Sequence, residues 1–202
     1  MQGVNDIRSL QASIAGGVHP DYLFFWGHTP RHPHAVDRSC LSQWYPAAFT
    51  LDGHEYGTAE HYMMAEKARF FGDPELAERI IRIETPAQAK KLGREVEGFD
   101  QQRWEEARCE IVFAANLAKF EQNLGCRAFL LASRDRVLVE ASPVDSIWGI
   151  GLAMDDPRAE SPEAWQGLNL LGFTLMRVRE KLFEFQHSAL EELNAERSDT
   201  TT

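Results

Sequence analysis

No apolar run in this chain approaches the ~18 residues that a membrane-spanning helix requires. The longest, around Leu168–Phe173, is interrupted by Asn169 and Gly172. Met1–Gly17 has neither the basic stretch nor the apolar stretch of a secretory leader, so none is expected. Cysteine is scarce: Cys40, Cys109 and Cys126 are widely spaced, odd in number and without a C-x-x-C pair. That argues against a disulfide framework and suits free thiols in a reducing compartment, so a cytoplasmic location is expected. Positive charge is not in excess either. Against 31 acidic residues stand 21 basic ones, a net −10, which argues against sequence-independent binding to bulk nucleic acid. A small anionic ligand, or a nucleic-acid end in a local basic pocket, stays compatible with that balance. Also missing are a Walker-type glycine-rich loop, a G-x-S-x-G elbow, and the third glycine that would make Gly149-Ile-Gly151 a dinucleotide fingerprint.

What the 202 residues do contain is an ordinary globular composition, 44% hydrophobic and 26% charged, enough to bury one core without staples. Residues 1–20 carry little periodicity and are expected to form a flexible arm. Residues 188–202 are polar, end in Ser-Asp-Thr-Thr-Thr, and are expected to fray. One domain is expected between them, over residues 21–187.

Tyr22–Trp26 is a β-compatible aromatic run, followed by a Pro/His-rich loop over Gly27–Asp37. Asp52-Gly53 suits the positive-φ positions of a tight turn, so Ala48–Leu51 and His54–Tyr56 read as a hairpin. Thr58 caps a helix ending near Phe71 and Gly72. Asp73-Pro74 and Thr85-Pro86-x-Gln88 start two more, and Asp100 caps a long helix from Gln101 to about Gln122. A short helix near Arg127–Ala132 precedes a strand at Val137–Ala141. The last helix is expected over Glu163–Phe185, where Leu168, Leu171, Leu175, Val178 and Leu182 keep a helical beat. The pattern predicts a helix-rich α+β domain with a few short strands, lacking the alternation of a doubly wound sheet.

One helix breaks the usual pattern. At about 100° per residue, Glu60 and Lys67 fall inside the apolar stripe of Met63, Met64, Phe70 and Phe71. They lie two turns apart, roughly 10 Å along the axis, too far for an i,i+4 ion pair. A charge on a core-facing stripe costs several kcal/mol unless something compensates it. Either each is bridged to another element, or the stripe faces a ligand. In the second case a desolvated Lys attacks carbonyl carbon and a desolvated Glu moves protons near neutrality.

A second segment, Glu140-Ala-Ser-Pro-Val-Asp-Ser-Ile-Trp-Gly-Ile-Gly151, follows a strand directly. Asp145, three residues before Trp148, suits a nucleoside-like substrate, the indole stacking and the carboxylate meeting sugar hydroxyls or developing positive charge. The simpler alternative is that Asp145 caps the next turn and Trp148 plugs the core. His28, His32, His34 and Cys40 resemble a metal set, but their spacing fits no common zinc pattern and Pro30 and Pro33 favour a loop. No metal is expected, and no cofactor.

Several motifs occur together in order: Phe25-Trp-Gly-His28, Leu41-Ser-Gln-Trp-Tyr-Pro46, Thr58-Ala-Glu-His-Tyr62 with Lys67, Lys119-Phe120, Leu138-Val-Glu-Ala-Ser142, Asp145-x-x-Trp-Gly-Ile-Gly151 and Trp165-x-Gly-x-Asn-x-Leu-Gly172. This set resembles the NADAR family, the YbiA-like N-glycosidases, over about Phe24 to Leu182. The resemblance implies an α-rich fold and hydrolysis of an N-glycosidic bond between ribose and a base-like amine. Two substrate groups are implied. One is the phosphorylated ribosylamino-pyrimidines of early riboflavin biosynthesis. The other is the ADP-ribosyl group on guanine of DNA, whose removal counters a DNA-modifying toxin. No membrane partner is implied.

Carried over by motif, Glu60, Lys67 and Asp145 are the expected catalytic residues. Phe25, Gly27, Trp44, Trp104, Trp148, Gly149 and Asn169 are the expected substrate-binding residues. Many members carry Asn-Phe where this chain has Gln43-Trp44. Glu60 or Asp145 would meet the cationic sugar and activate water, while Lys67 would form a Schiff base or hold phosphate or a hydroxyl. Arg31, Arg38 and Lys119 are candidate phosphate holders. The alternative from another class is a non-catalytic sensor of ADP-ribose or a related nucleotide. Retention of Glu60, Lys67 and Asp145 together favours the enzyme.

Overall fold

Four of the helix starts expected from the sequence carry a side-chain cap in the computed structural model, which describes residues 3–199. Thr58, Asp73, Thr85 and Asp100 accept hydrogen bonds from the backbone N–H of His61, Leu76, Gln88 and Arg103. Each such cap is worth about 1 kcal/mol. They open α2 (Ala59–Phe70), α3 (Pro74–Arg82), α4 (Pro86–Leu92) and α5 (Gln101–Gln122). Before them come α1 (Ile7–Ala15), β1 (Tyr22–Phe25), β2 (Phe49–Leu51) and β3 (His54–Tyr56); after them, α6 (Leu124–Ala132), β4 (Val137–Glu140) and α7 (Leu170–Asp199). Asp52 and Gly53, at φ of 51° and 80°, turn the antiparallel β2–β3 hairpin as their residue types require. The result is the expected helix-rich α+β fold, and among the described residues no helix is long and apolar enough to cross a membrane.

The second sheet positions the site. β1 and β4 pair in parallel, Tyr22 opposite Val137 through Phe25 opposite Glu140, although more than a hundred residues separate them in sequence. Parallel pairing brings both carboxyl ends to the same edge. The segments leaving β1 at Trp26 and β4 at Ala141 therefore emerge side by side. The start of α7 packs against β4 from behind, where Gly172 sits against the Leu138 carbonyl with no room for a Cβ.

Three expectations are corrected. The first twenty residues are not a featureless arm. Asp6 and Ser9 form a capping box for α1, Leu10 and Val4 are buried, and Gln11 donates to the Pro162 carbonyl at 3.2 Å. A single fully buried leucine per short helix leaves little periodicity to read. At the other end the helix does not stop at Phe185: its backbone continues to Asp199. The remaining tail residues Thr200–Thr202, like Met1 and Gln2, lie outside the described residues. The last helix also begins at Leu170, not Glu163. A 3₁₀ turn at Pro162–Ala164 and an extended stretch precede it, because Asn169 adopts φ of 53° and breaks the helical path.

Candidate active site

α2 is buried over most of its surface, including Glu60, His61, Met63 and Met64. His61 fixes its start, sharing hydrogen bonds with Thr58 Oγ1 at 2.8 Å and the Ile83 carbonyl at 3.2 Å. From this fixed helix Glu60 and Lys67 face one cavity of about 610 Å³. That volume lies within the range of small-ligand sites. Lys67 Nζ donates to the Gly93 carbonyl at 2.8 Å and lies 4.2 Å from the centre of the Phe99 ring.

α5 holds the neighbouring wall from behind. Lys119 Nζ donates to the Ser42 carbonyl at 2.8 Å, Asn116 Nδ2 to Gln43 Oε1 at 2.7 Å, and the Glu60 N–H to the Gln43 carbonyl at 3.1 Å. These straps aim Gln43 and Trp44 into the cavity, where Gln43 Nε2 is buried without a partner.

The parallel strand ends supply the opposite wall. Glu140 is the last residue of β4, its N–H donating to Asn169 Oδ1 at 2.9 Å and its carbonyl accepting from Ile150 N at 2.9 Å. Asp145 Oδ1 accepts from the N–H groups of Ile147 at 2.9 Å and Trp148 at 2.8 Å, a turn that presents the Trp148 ring to the cavity. The capping role and the cavity-lining role of Asp145 thus coexist. Lys90 and Arg94, from the last turn of α4 and just beyond it, complete the rim.

The electrostatics follow from this crowding. Burial pushes the Glu60 carboxyl up to about 7; Lys90 and the Trp44 side chain pull it down and the Asp145 charge adds to the rise. Burial, then the charge of Asp145, pushes Glu140 up to about 8, opposed by Lys90 and reinforced by Glu60. Burial and then the Arg94 charge hold Lys67 below the ordinary lysine range. Glu60 Oε1 and Glu140 Oε2 are both buried without a hydrogen-bond partner. Unpartnered buried carboxylate oxygens facing a cavity with a depressed amine opposite are the marks of a reactive site.

A family model described as the NADAR domain matches residues 24–183. The chain belongs to the NADAR family. Among NADAR relatives, an N-glycosidase of Acanthamoeba polyphaga mimivirus is 38% identical over 165 residues, 79% of this chain and 95% of the relative. A riboflavin biosynthesis protein of Vibrio vulnificus is 35% identical over 176 residues, 87% of this chain and 42% of the relative. The NMR structure of Escherichia coli YbiA superposes with a TM-score of 0.66 at 29% identity, covering 87% of this chain and 89% of that one.

The structure divides the NADAR motif residues into two groups. Glu60, Lys67, Asp145, Gly27, Trp44, Trp104 and Trp148 line the cavity. Phe25, Gly149 and Asn169 lie outside that lining. Phe25 is fully buried in β1 opposite Glu140, and the strand's alternation sends its neighbour Trp26 to the cavity instead. A Cβ at Gly149 would lie 2.8 Å from the Glu140 carbonyl oxygen, so glycine lets the loop close onto the strand end. Asn169 is fully buried, its Oδ1 taking the Glu140 N–H and its Nδ2 donating to the Leu138 carbonyl at 2.9 Å. It holds β4 rather than a ligand.

The phosphate-holding candidates also change. Lys119 is buried beneath Ser42, and Arg31 and Arg38 line a separate hollow with Asp37. Lys90 and Arg94 stand at the cavity in their place; their i,i+4 spacing was the available signal. Glu140 was missed too, though the last position of a strand running into a Pro/Gly loop is a usual place for a functional side chain. Among the described residues no three His, Cys, Asp or Glu side chains are grouped to hold a metal, and Cys40 is buried in the core.

Proposed function

We propose that this chain is an N-glycosidase that hydrolyses the ribosyl C–N bond of a small phosphorylated ribosylamine, of the ribosylamino-pyrimidine type used in riboflavin biosynthesis. The observation that carries the reading is the convergence of Glu60 and Lys67 with Asp145 and Trp148 on one cavity. The names of two NADAR relatives, an N-glycosidase and a riboflavin biosynthesis protein, point the same way. As the C–N bond lengthens, positive charge develops at C1 of the sugar, and Glu60 and Asp145 offset it. Glu60, ionising near neutrality, takes a proton from the water that adds to C1. Lys67, made less basic by burial, adds to C1 of the ring-opened sugar once it leaves the Gly93 carbonyl. The base amine departs as the Schiff base forms, and the water activated by Glu60 then adds to C1 and releases the sugar from Lys67. Lys90 and Arg94 meet the phosphate, and Trp44 and Trp148 flank the base.

A second substrate reading, ADP-ribosylated guanine of nucleic acid, is favoured by one feature. Trp26 and Val144 leave 53% and 86% of their surface exposed at the cavity rim, apolar area within reach of a neighbouring base. A non-catalytic sensor needs aromatic faces and cations for its nucleotide but has no use for an amine and carboxyl groups placed together for proton transfer.

The test assays both substrate groups in parallel, reading the released base by mass spectrometry. Turnover of the ribosylamino-pyrimidine phosphate is expected, with Glu60→Gln slowing it well over about tenfold in a folded protein. Near-wild-type turnover in Glu60→Gln removes that residue from the mechanism. Tight ADP-ribose binding with no base released from either group favours the sensor. Borohydride during turnover should trap a reduced adduct on Lys67, and its absence would eliminate the Schiff base.

A further inference from the structure

Three carboxyl groups line the cavity, and the reaction needs one of them as an acid. A neutral amine leaves carbon readily only when its nitrogen takes up a proton as the bond breaks. Asp145 has Oδ1 engaged by two backbone N–H groups. Glu60 stands on α2 among the cations of α4 and beyond, Lys90 and Arg94. Glu140 differs from both. Its main chain is clamped on two sides, by Asn169 Oδ1 on the N–H and Ile150 N on the carbonyl, so the strand end does not drift. Its Oε2 is shut away from solvent with no partner, yet the side chain borders the cavity.

We propose that Glu140 is a further catalytic residue of this cavity, the group that delivers a proton to the departing nitrogen; the inference rests on the N-glycosidase reading. The groups facing it are Glu60 from α2, Lys90 from α4 and Asp145 from the following loop. Two of the three are acids, so the neighbourhood favours the protonated carboxyl, as burial does. Glu60 feels the same burial but has Arg94 as well as Lys90 to support its charge, so its anion is the better held of the two. That inequality separates the roles. The C1–N electron pair goes to nitrogen, which takes the Glu140 proton. Lys67, bonded to C1 as the amine departs, holds the sugar as a Schiff base. Water oxygen then bonds to C1 and gives its proton to Glu60, and the C1–Lys67 bond breaks to free the sugar. Exchange with solvent then returns both carboxyls to their starting forms. Gly149 and Asn169, conspicuous in the sequence and absent from the cavity wall, gain a purpose: they fix the main chain that carries the acid.

The experiment compares wild type with Glu140→Gln on a ribosylamino-pyrimidine phosphate, measuring kcat and KM against pH together with thermal unfolding. The expected result is a fall in kcat of about 100-fold or more, KM within about threefold, and loss of the alkaline limb from the pH profile of kcat. A Glu140→Gln enzyme within about threefold of wild type, or one that is slower but keeps the wild-type alkaline limb, overturns the proposal. If Glu140→Gln does not fold, Glu140→Asp is read in the same way. It should keep an alkaline limb displaced along the pH axis, and an undisplaced limb overturns the proposal. A wild-type enzyme that cleaves no ribosylamine brings down the underlying reading. A wild-type enzyme that cleaves it while Glu140→Gln matches its rate brings down only the role of Glu140.

Discussion

Lys67 and Lys119 each donate a hydrogen bond of 2.8 Å to one backbone carbonyl, that of Gly93 and of Ser42 respectively. Burial lowers the basicity of both, Lys119 to about 8. Both also lie near aromatic faces, Lys67 over Phe99 and Lys119 over Phe120 and Tyr45. The difference is what each reaches. Lys67 borders the cavity, whereas Lys119 is fully buried between α5 and the Ser42–Trp44 segment, beside Cys40 and Cys126. A perturbed amine in the interior is a strap; the same amine at a cavity is available to a substrate. Perturbation alone would not tell the two lysines apart.

Exchanging the two lysines one at a time gives the sharpest contrast. Lys67→Met should reduce hydrolysis by more than about 100-fold while the unfolding midpoint moves by only a few degrees. Lys119→Met should keep activity within about tenfold and instead change the unfolding curve, since the Ser42 carbonyl loses its donor. Steady-state rates and thermal melts on the same samples check both. The comparison breaks if Lys119→Met is the less active of the two.

The pH dependence of stability probes the interior lysine by itself. Its folded pKa of about 8 lies below the ordinary 10.5, so between those values the unfolded chain holds more protons than the folded one. Stability must then rise with pH across that window, by an amount of order 3 kcal/mol for a group so fully buried. Urea unfolding at pH 7.5, 9 and 10.5 should show this rise in wild type and its absence in Lys119→Met. The difference between the two proteins is the quantity to follow, because the neighbouring Cys126 thiol, pushed down chiefly by its contact with Cys40, also titrates. Equal slopes would mean that Lys119 is hydrated in solution.

Local signals were the legible ones. The caps of α2 to α5 and the Asp52-Gly53 turn need only neighbouring residues, and each appears where the sequence predicts it. The two-turn spacing of Glu60 and Lys67 is also local geometry, so their shared face follows from the helix alone. Roles that depend on distant pairing were not legible. Phe25 and Trp26 exchange places because strand phase is set by β4, far along the chain. Asn169 reads as a ligand contact until its amide is seen bridging Leu138 and Glu140. Glu140 becomes conspicuous only once β1 and β4 lie side by side and α2 closes the cavity over them.

The smallest expected effect concerns the two groups of arginines outside the core. Arg94 borders the cavity beside Lys90, while Arg31 lines a separate hollow with Arg38 and donates its backbone N–H to Asp37 at 2.8 Å. Arg94 is solvent-exposed, so a phosphate contact there gains only a modest charge-assisted hydrogen bond, about 1.4 kcal/mol or tenfold in affinity. Arg94→Gln should therefore raise KM for the 5-phosphorylated substrate about tenfold, with a smaller fall in kcat because Arg94 also supports the Glu60 charge and lowers the basicity of Lys67. For the dephosphorylated substrate KM should not change, and Arg31→Gln should leave both substrates unaffected. A KM rise of equal size with and without the phosphate would mean that Arg94 shapes the cavity instead of meeting the anion. A rise in Arg31→Gln would move the phosphate to the other hollow, and with it the orientation of the sugar relative to Glu60 and Lys67.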